Sequence, residues 1–186
     1  DVCSSDLGLR ASPSRWNIIA NQVMLGEALL MQQGLATYSM DAWDGYPDAR
    51  ARLIAAIDDL SPSNPIVISG DAHSSWVHEL TGTARRGQGH RPVAPEFVGT
   101  SLSSGGDGDD STGDEFRAAN PHLSYYRNRR GYVRVTATPS LCTVDYRVVP
   151  YVGTPGAPVF TDASFVVPHG RARARSEEHT SELQSH

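Results

Sequence analysis

The chain has 186 residues, 39% hydrophobic and 20% charged, with two cysteines and a net charge of −5. Its apolar content is too high and its charge too low for a disordered chain, and two cysteines cannot build a disulfide framework. No run approaches the roughly 18 apolar residues of a membrane span, and no basic excess marks a nucleic-acid-binding module. All 16 basic residues are Arg, a bias of GC-rich coding that carries no chemistry.

The two ends read differently from the body. Residues 1–7 (Asp1-Val-Cys-Ser-Ser-Asp-Leu7) and 175–186 (Arg175 to His186) are what a common sequencing adapter encodes in opposite orientations. Such segments are set aside before fold reasoning. The body, residues 8–174, then carries a net charge of −1 and Cys142 as its one cysteine, so no internal disulfide is expected.

In chain order, Trp16-Asn-Ile-Ile-Ala20 reads as a short buried strand. Gln22 to Gln33 has helical composition, weakened by Gly26 and Gly34. Tyr38 to Pro47, rich in Asp, Gly and aromatics, reads as an ordered loop. Asp48 to Leu60 is the clearest helix, capped by Asp48, with Leu53, Ile54, Ile57 and Leu60 at helical spacing. Ser61-Pro-Ser-Asn-Pro65 stops it, and Ile66-Val-Ile-Ser69 follows as a strand buried on both faces. Beyond it the chain turns β-rich. Trp76 to Thr81 and Glu96 to Leu102 are candidate strands, and Gly131 to Ala137 and Leu141 to Val149 form a hairpin through Thr138-Pro-Ser140. In the last run Cys142, Val144, Tyr146 and Val148 share one face, which makes Cys142 a core residue. Gly105 to Asp114 reads as a surface loop, and no internal repeat is visible.

The sharpest chemical feature is Ser69-Gly-Asp-Ala-His73 at the end of the buried strand. Side chains there project into the crevice where α/β proteins bind ligands. Asp71 and His73, a carboxylate and an imidazole two residues apart, suit a metal of borderline hardness. The bland reading has Asp71 capping a turn and His73 packing nearby. Met40-Asp-Ala-Trp-Asp-Gly-Tyr-Pro47 interleaves Asp41 and Asp44 with aromatics, as a binding loop or as a plain helix entrance. Other patterns fail on spacing. Aligning Asp107 as a first calcium ligand puts Thr112 where an EF-hand needs Gly. Gly99-Thr-Ser-Leu-Ser103 lacks the closing Gly of a nucleophile elbow. His90, His169 and Arg129-Arg130 read as surface residues. Arg127, Arg129 and Arg130 beside Tyr125 and Tyr126 form a possible anion site.

Taken in order, six segments resemble the carboxyl-terminal half of the PhoD-like phosphatases, calcineurin-like metallophosphoesterases. They are residues 16–24, Trp43-Asp-Gly-Tyr-Pro47, Ser69-Gly-Asp-Ala-His-Ser-Ser75, residues 96–104, Asn120-Pro-His-Leu123 and Arg130-Gly-Tyr-Val133. The resemblance implies an α/β fold, one half of a four-layer αββα sandwich. It implies hydrolysis of phosphate mono- or diesters, phospholipids among them, with calcium and iron as metals and export to the periplasm, cell envelope or outside. It makes Asp71 and His73 metal ligands, places Gln22 facing the metal, puts Asp44 at its border and gives His122 a substrate or loop-ordering role. The earlier metal-binding aspartates and the Asn-His motif of the amino-terminal half are not found in this chain, so it is expected to be inactive alone. The alternative is a non-catalytic β-rich binding domain in which Asp71 and His73 are structural.

Overall fold

The computed structural model describes residues 8–32, 35–82, 91–111 and 113–177; His90 and Thr112 lie outside them. β1 (Asn17–Val23), β4 (Pro65–Gly70) and β6 (Pro92–Val98) run parallel. They join β5 (Ser75–Thr81) and β7 (Leu123–Arg127) in a five-stranded sheet of order β1-β4-β6-β5-β7. β8 (Arg130–Ala137), β9 (Leu141–Val149), β10 (Phe160–Pro168) and β11 (Arg175–Ser176) make an antiparallel sheet of order β11-β10-β9-β8. A hairpin of β2 (Leu30–Gln32) and β3 (Leu35–Thr37) stands apart. Helices α1 (Pro47–Leu60) and α2 (Gly113–Ala119) complete the fold.

Period-2 alternation explains how the two sheets meet. Ile66, Val77, Phe97 and Tyr125 pack against Cys142, Val144, Tyr146, Phe165 and Val167 of the second sheet. The Tyr146 hydroxyl, fully buried, donates to the Trp76 carbonyl at 2.6 Å and so ties the layers with a polar bond as well. Each fully buried residue of Phe97 size contributes roughly 1.5–3 kcal/mol here. The opposite face of the five-stranded sheet is covered by Leu53 and Ile57 of α1 on Val67, Leu80, Val93 and Ala94. Beside them Phe116 of α2 packs on Trp76 and Tyr126. Ile66 and Val67 therefore face different cores, as a strand buried on both faces requires. The architecture is α/β, and its layers run helix, sheet, sheet. The outer face of the second sheet is polar: Arg134 pairs with Asp145, which also accepts from Ser164.

Several sequence expectations are corrected. Of the expected helix Gln22 to Gln33, residues 22–32 are not helical, and Gln33 lies outside the described residues. Residues 22–32 finish β1, turn, and enter β2, because the N–H groups of Leu25, Gly26, Ala28 and Leu29 are claimed by side chains remote in sequence. β1 is longer than expected and is an edge strand, with Ile18 46% exposed. Asp48 does not cap α1; Pro47 occupies the first helical position and Tyr46 the cap without a side-chain bond. Asp48 instead places its charge in the first turn, where the helix dipole favours it. β6 begins at Pro92 rather than Glu96, and β7, β10 and α2 were not foreseen. The hairpin after β8 closes as expected, Thr138 N–H donating to the Leu141 carbonyl at 2.8 Å.

Candidate metal centre and its supporting loop

The carboxyl ends of the parallel strands meet at one edge of the five-stranded sheet. Val23 is in register with Gly70, and the Gln22 carbonyl lies beside Gly70. Gly99 N–H, just past β6, donates to the Ser69 carbonyl at 2.8 Å. The chain then turns through Asp71 and His73, both left-handed at φ 68° and φ 53°. Ala72 N–H closes the first half of the turn on the Gly70 carbonyl at 2.9 Å. Non-glycine residues held in this region cost about 1–3 kcal/mol each and persist where the surroundings over-determine them. Here Ser74 Oγ donates to the Ala72 carbonyl at 3.0 Å and in turn accepts from Trp76 Nε1 at 2.7 Å. The Arg130 guanidinium donates to the His73 carbonyl at 2.9 Å. Asp71, His73 and Gln22 are all exposed.

Behind this edge, the segment from Met24 to Leu29 is held by acceptors from three separate elements. The Glu96 carboxylate, at the centre of β6 and fully buried, accepts Leu25 N–H at 2.7 Å, Gly26 N–H at 2.6 Å and the Ser69 hydroxyl at 2.6 Å. Burial raises its affinity for a proton, while those three bonds work in the opposite sense. Asp44, in a single 3₁₀ turn (Trp43–Gly45), accepts Ala28 N–H at 3.1 Å and pairs with Arg50. Burial raises the Asp44 carboxyl. Asn120, after α2, accepts Leu29 N–H at 2.8 Å and returns a bond to the Leu29 carbonyl at 3.0 Å. Gly26 fits because a Cβ there would stand 2.6 Å from the His78 ring. His78 is buried between Trp76 and His122, with ring centroids 5.8 and 5.7 Å away. His122 Nε2 lies 2.6 Å from the Glu27 carbonyl.

A family model described as PhoD-like phosphatase matches residues 6–146. The chain belongs to that family. It is 40% identical over 160 residues to alkaline phosphatase D of Bacillus subtilis (strain 168), an alignment that covers 85% of this chain and 27% of that protein. The solved structure of PhoD superposes with a TM-score of 0.85 at 36% identity, covering 98% of this chain and 35% of the other. The chain thus spans about a third or less of the length of these relatives.

In this PhoD-like fold Gln22, Asp71 and His73 share the strand-end edge, whereas Asp44 and His122 serve the supporting segment. The His122 carbonyl accepts Glu79 N–H. Glu79 lies four residues along β5 from Ser75, about 13 Å from the edge at ~3.3 Å per residue. Among the described residues, no group of three or more His, Cys, Asp or Glu side chains is placed to hold a metal. Asp71 and His73 supply one oxygen and one nitrogen donor, a set that fits part of a metal site but does not close one.

The acidic loop after β6 is used locally: Asp107 accepts Val152 N–H, Asp109 bonds Ser111, and Asp110 bonds Asn128 and Arg129. The anion site imagined at Arg127 and Arg129 is likewise spent on carboxylates, Asp162 and Asp110, with Tyr125 and Tyr126 buried in the cores. Sequence reasoning missed Glu96 and placed Arg130 on the surface; Arg130 is only 8% exposed. A lone Glu in an otherwise apolar strand, Val93-Ala-Pro-Glu-Phe-Val98, was the available signal for the first.

Proposed function

We propose that this chain contributes the last metal-ligand motif of a metal-dependent phosphoric ester hydrolase. Asp71 and His73 would be ligands and Gln22 would face the metal from the neighbouring strand. The observation that carries the reading is the pair of left-handed residues at the ends of parallel strands. Both present side chains with no hydrogen-bond partner among the described residues. Asp71 and His73 would hold a di- or trivalent ion, calcium and iron in this reading, and such an ion would supply polarisation of a phosphoryl oxygen and acidification of a water molecule.

The substrate would be a phosphate mono- or diester, a phospholipid headgroup among the diesters. Alkaline phosphatase D, the name of the Bacillus relative, supports the ester chemistry. Asp44 and His122 act in this proposal as positioning groups. Asp44 holds Ala28 and Arg50, and His122 backs the buried His78 and touches the Glu27 carbonyl, so the segment that follows Gln22 keeps its course. Residues 8–174 are the functional segment, working with metal ligands from a preceding part of the polypeptide. Export to the periplasm, cell envelope or outside belongs to the same reading. No described helix is long and apolar enough to cross a membrane.

The test is hydrolysis of bis-p-nitrophenyl phosphate with calcium and iron supplied. The 186-residue chain is expected to stay at background. In a longer PhoD-like polypeptide carrying this segment, Asp71→Ala and His73→Ala should each lower the rate at least about 100-fold. Hydrolysis by the chain alone that survives both substitutions refutes the assignment.

A further inference from the structure

Arg130 differs from the arginines beside it. Arg127 is paired with Asp162 at 2.8 Å and Arg129 with Asp110 at 2.8 Å. Arg130, 8% exposed, has no carboxylate within 4.0 Å among the described residues. Its guanidinium instead donates to backbone and amide oxygens. Nη1 reaches the His73 carbonyl at 2.9 Å and Asn128 Oδ1 at 3.3 Å, and Nη2 reaches the Gly105 carbonyl at 3.3 Å. Nε is buried with no partner. The backbone beside it is fixed as well. Gly131 N–H donates to the Ser101 carbonyl at 3.1 Å, and a Cβ at Gly131 would sit 1.9 Å from the Arg147 carbonyl oxygen. Only glycine lets β8 start this close to β9 and set Arg130 against the turn.

An unpaired buried cation is a poor stabiliser, since desolvating it is not offset by an opposite charge. A neutral side chain of similar length would serve the core better. What the guanidinium does supply is a rigid fork that a point charge cannot imitate. That fork bridges the strand-end turn and the loop at Gly105. We propose that Arg130 is a positioning residue: it holds the left-handed His73 through its carbonyl and thereby sets the direction in which Asp71 and His73 face. This rests on the reading of those two residues as metal-facing.

The test compares Arg130→Met and Arg130→Lys with the unaltered 186-residue chain. Amide hydrogen exchange is followed at residues 72–75 and across β4, β5 and β9, alongside thermal unfolding. Arg130→Met should speed exchange at 72–75 by 10-fold or more, with the strands as protected as before and the unfolding midpoint unchanged or higher. Arg130→Lys, which keeps the charge without the fork, should also loosen 72–75, and it decides the matter should the Met variant fail to fold. Unchanged exchange at 72–75 overturns the proposal. So does a uniform loss of protection with a lower midpoint in both variants, which marks a merely structural residue. Manganese binding by a longer PhoD-like polypeptide carrying this segment, followed by its paramagnetic resonance signal, separates the two readings. If Asp71→Ala in that polypeptide binds manganese as the unaltered one does, the metal reading fails, while the exchange result still judges Arg130.

Discussion

The Glu96 carboxylate accepts the Leu25 N–H at 2.7 Å across 71 residues of chain. The same group holds Gly26 and Ser69, so one buried side chain joins β6, β4 and the segment that leaves β1.

That convergence makes Glu96 costly to remove. Glu96→Leu strands two buried N–H groups and a hydroxyl, each worth about 1–3 kcal/mol when left unsatisfied. Urea unfolding should show a loss of about 3 kcal/mol or more. Glu96→Gln, which keeps one acceptor oxygen, should lose less. A Leu variant as stable as the unaltered chain would mean that the segment is held by something else.

His78 gives the chain a pH-dependent stability. Burial, reinforced by His122, holds its pKa down to about 3. An unfolded histidine takes up a proton near pH 6.5, whereas the folded one does so only near 3. Between those values the unfolded state binds more protons, so stability is full above pH 6.5 and is lost on acidification. Glu96 acts in the opposite direction, since its raised carboxyl favours the fold at low pH and the advantage fades as pH rises. His78→Phe keeps a ring against Trp76 but does not titrate. Between pH 7 and pH 5 the unaltered chain should lose about 2 kcal/mol relative to this variant in urea unfolding. Parallel pH profiles would show that His78 is protonated in the folded state.

Asp44 and Glu27 both pair with Arg50, yet they should weigh very differently. The Asp44 side chain is 3% exposed and that of Glu27 is 50% exposed. Breaking a buried pair from one side costs about 3 kcal/mol, while an exposed pair is worth about 1 kcal/mol or less. Asp44→Ala should therefore destabilise the chain by the larger amount and Glu27→Ala by the smaller. Equal losses in chemical unfolding would contradict the geometry.

What the sequence disclosed and what it hid divide along one physical line. Helix 48–60 was legible because Leu53 and Ile57 advertise their buried face through local spacing. The alternation of Cys142, Val144, Tyr146 and Val148 likewise announced a strand over a core. The course of residues 22–32 was not legible, because Glu96, Asp44 and Asn120, remote in sequence, take the N–H groups a helix would have used. Arg130 was misplaced for the same reason: its burial depends on the carbonyls of His73 and Gly105, which no local pattern reveals. The Asp71–His73 turn was visible as a motif, but its left-handed backbone follows from contacts with Gly70, Ser74, Trp76 and Arg130.

The most direct test of the central claim is anomalous diffraction from crystals of a longer PhoD-like polypeptide carrying this segment, soaked with manganese. The account predicts a metal peak with an Asp71 carboxylate oxygen and a His73 imidazole nitrogen about 2.0–2.3 Å away, lost in Asp71→Ala. Bound metal whose ligands include neither Asp71 nor His73 would contradict it.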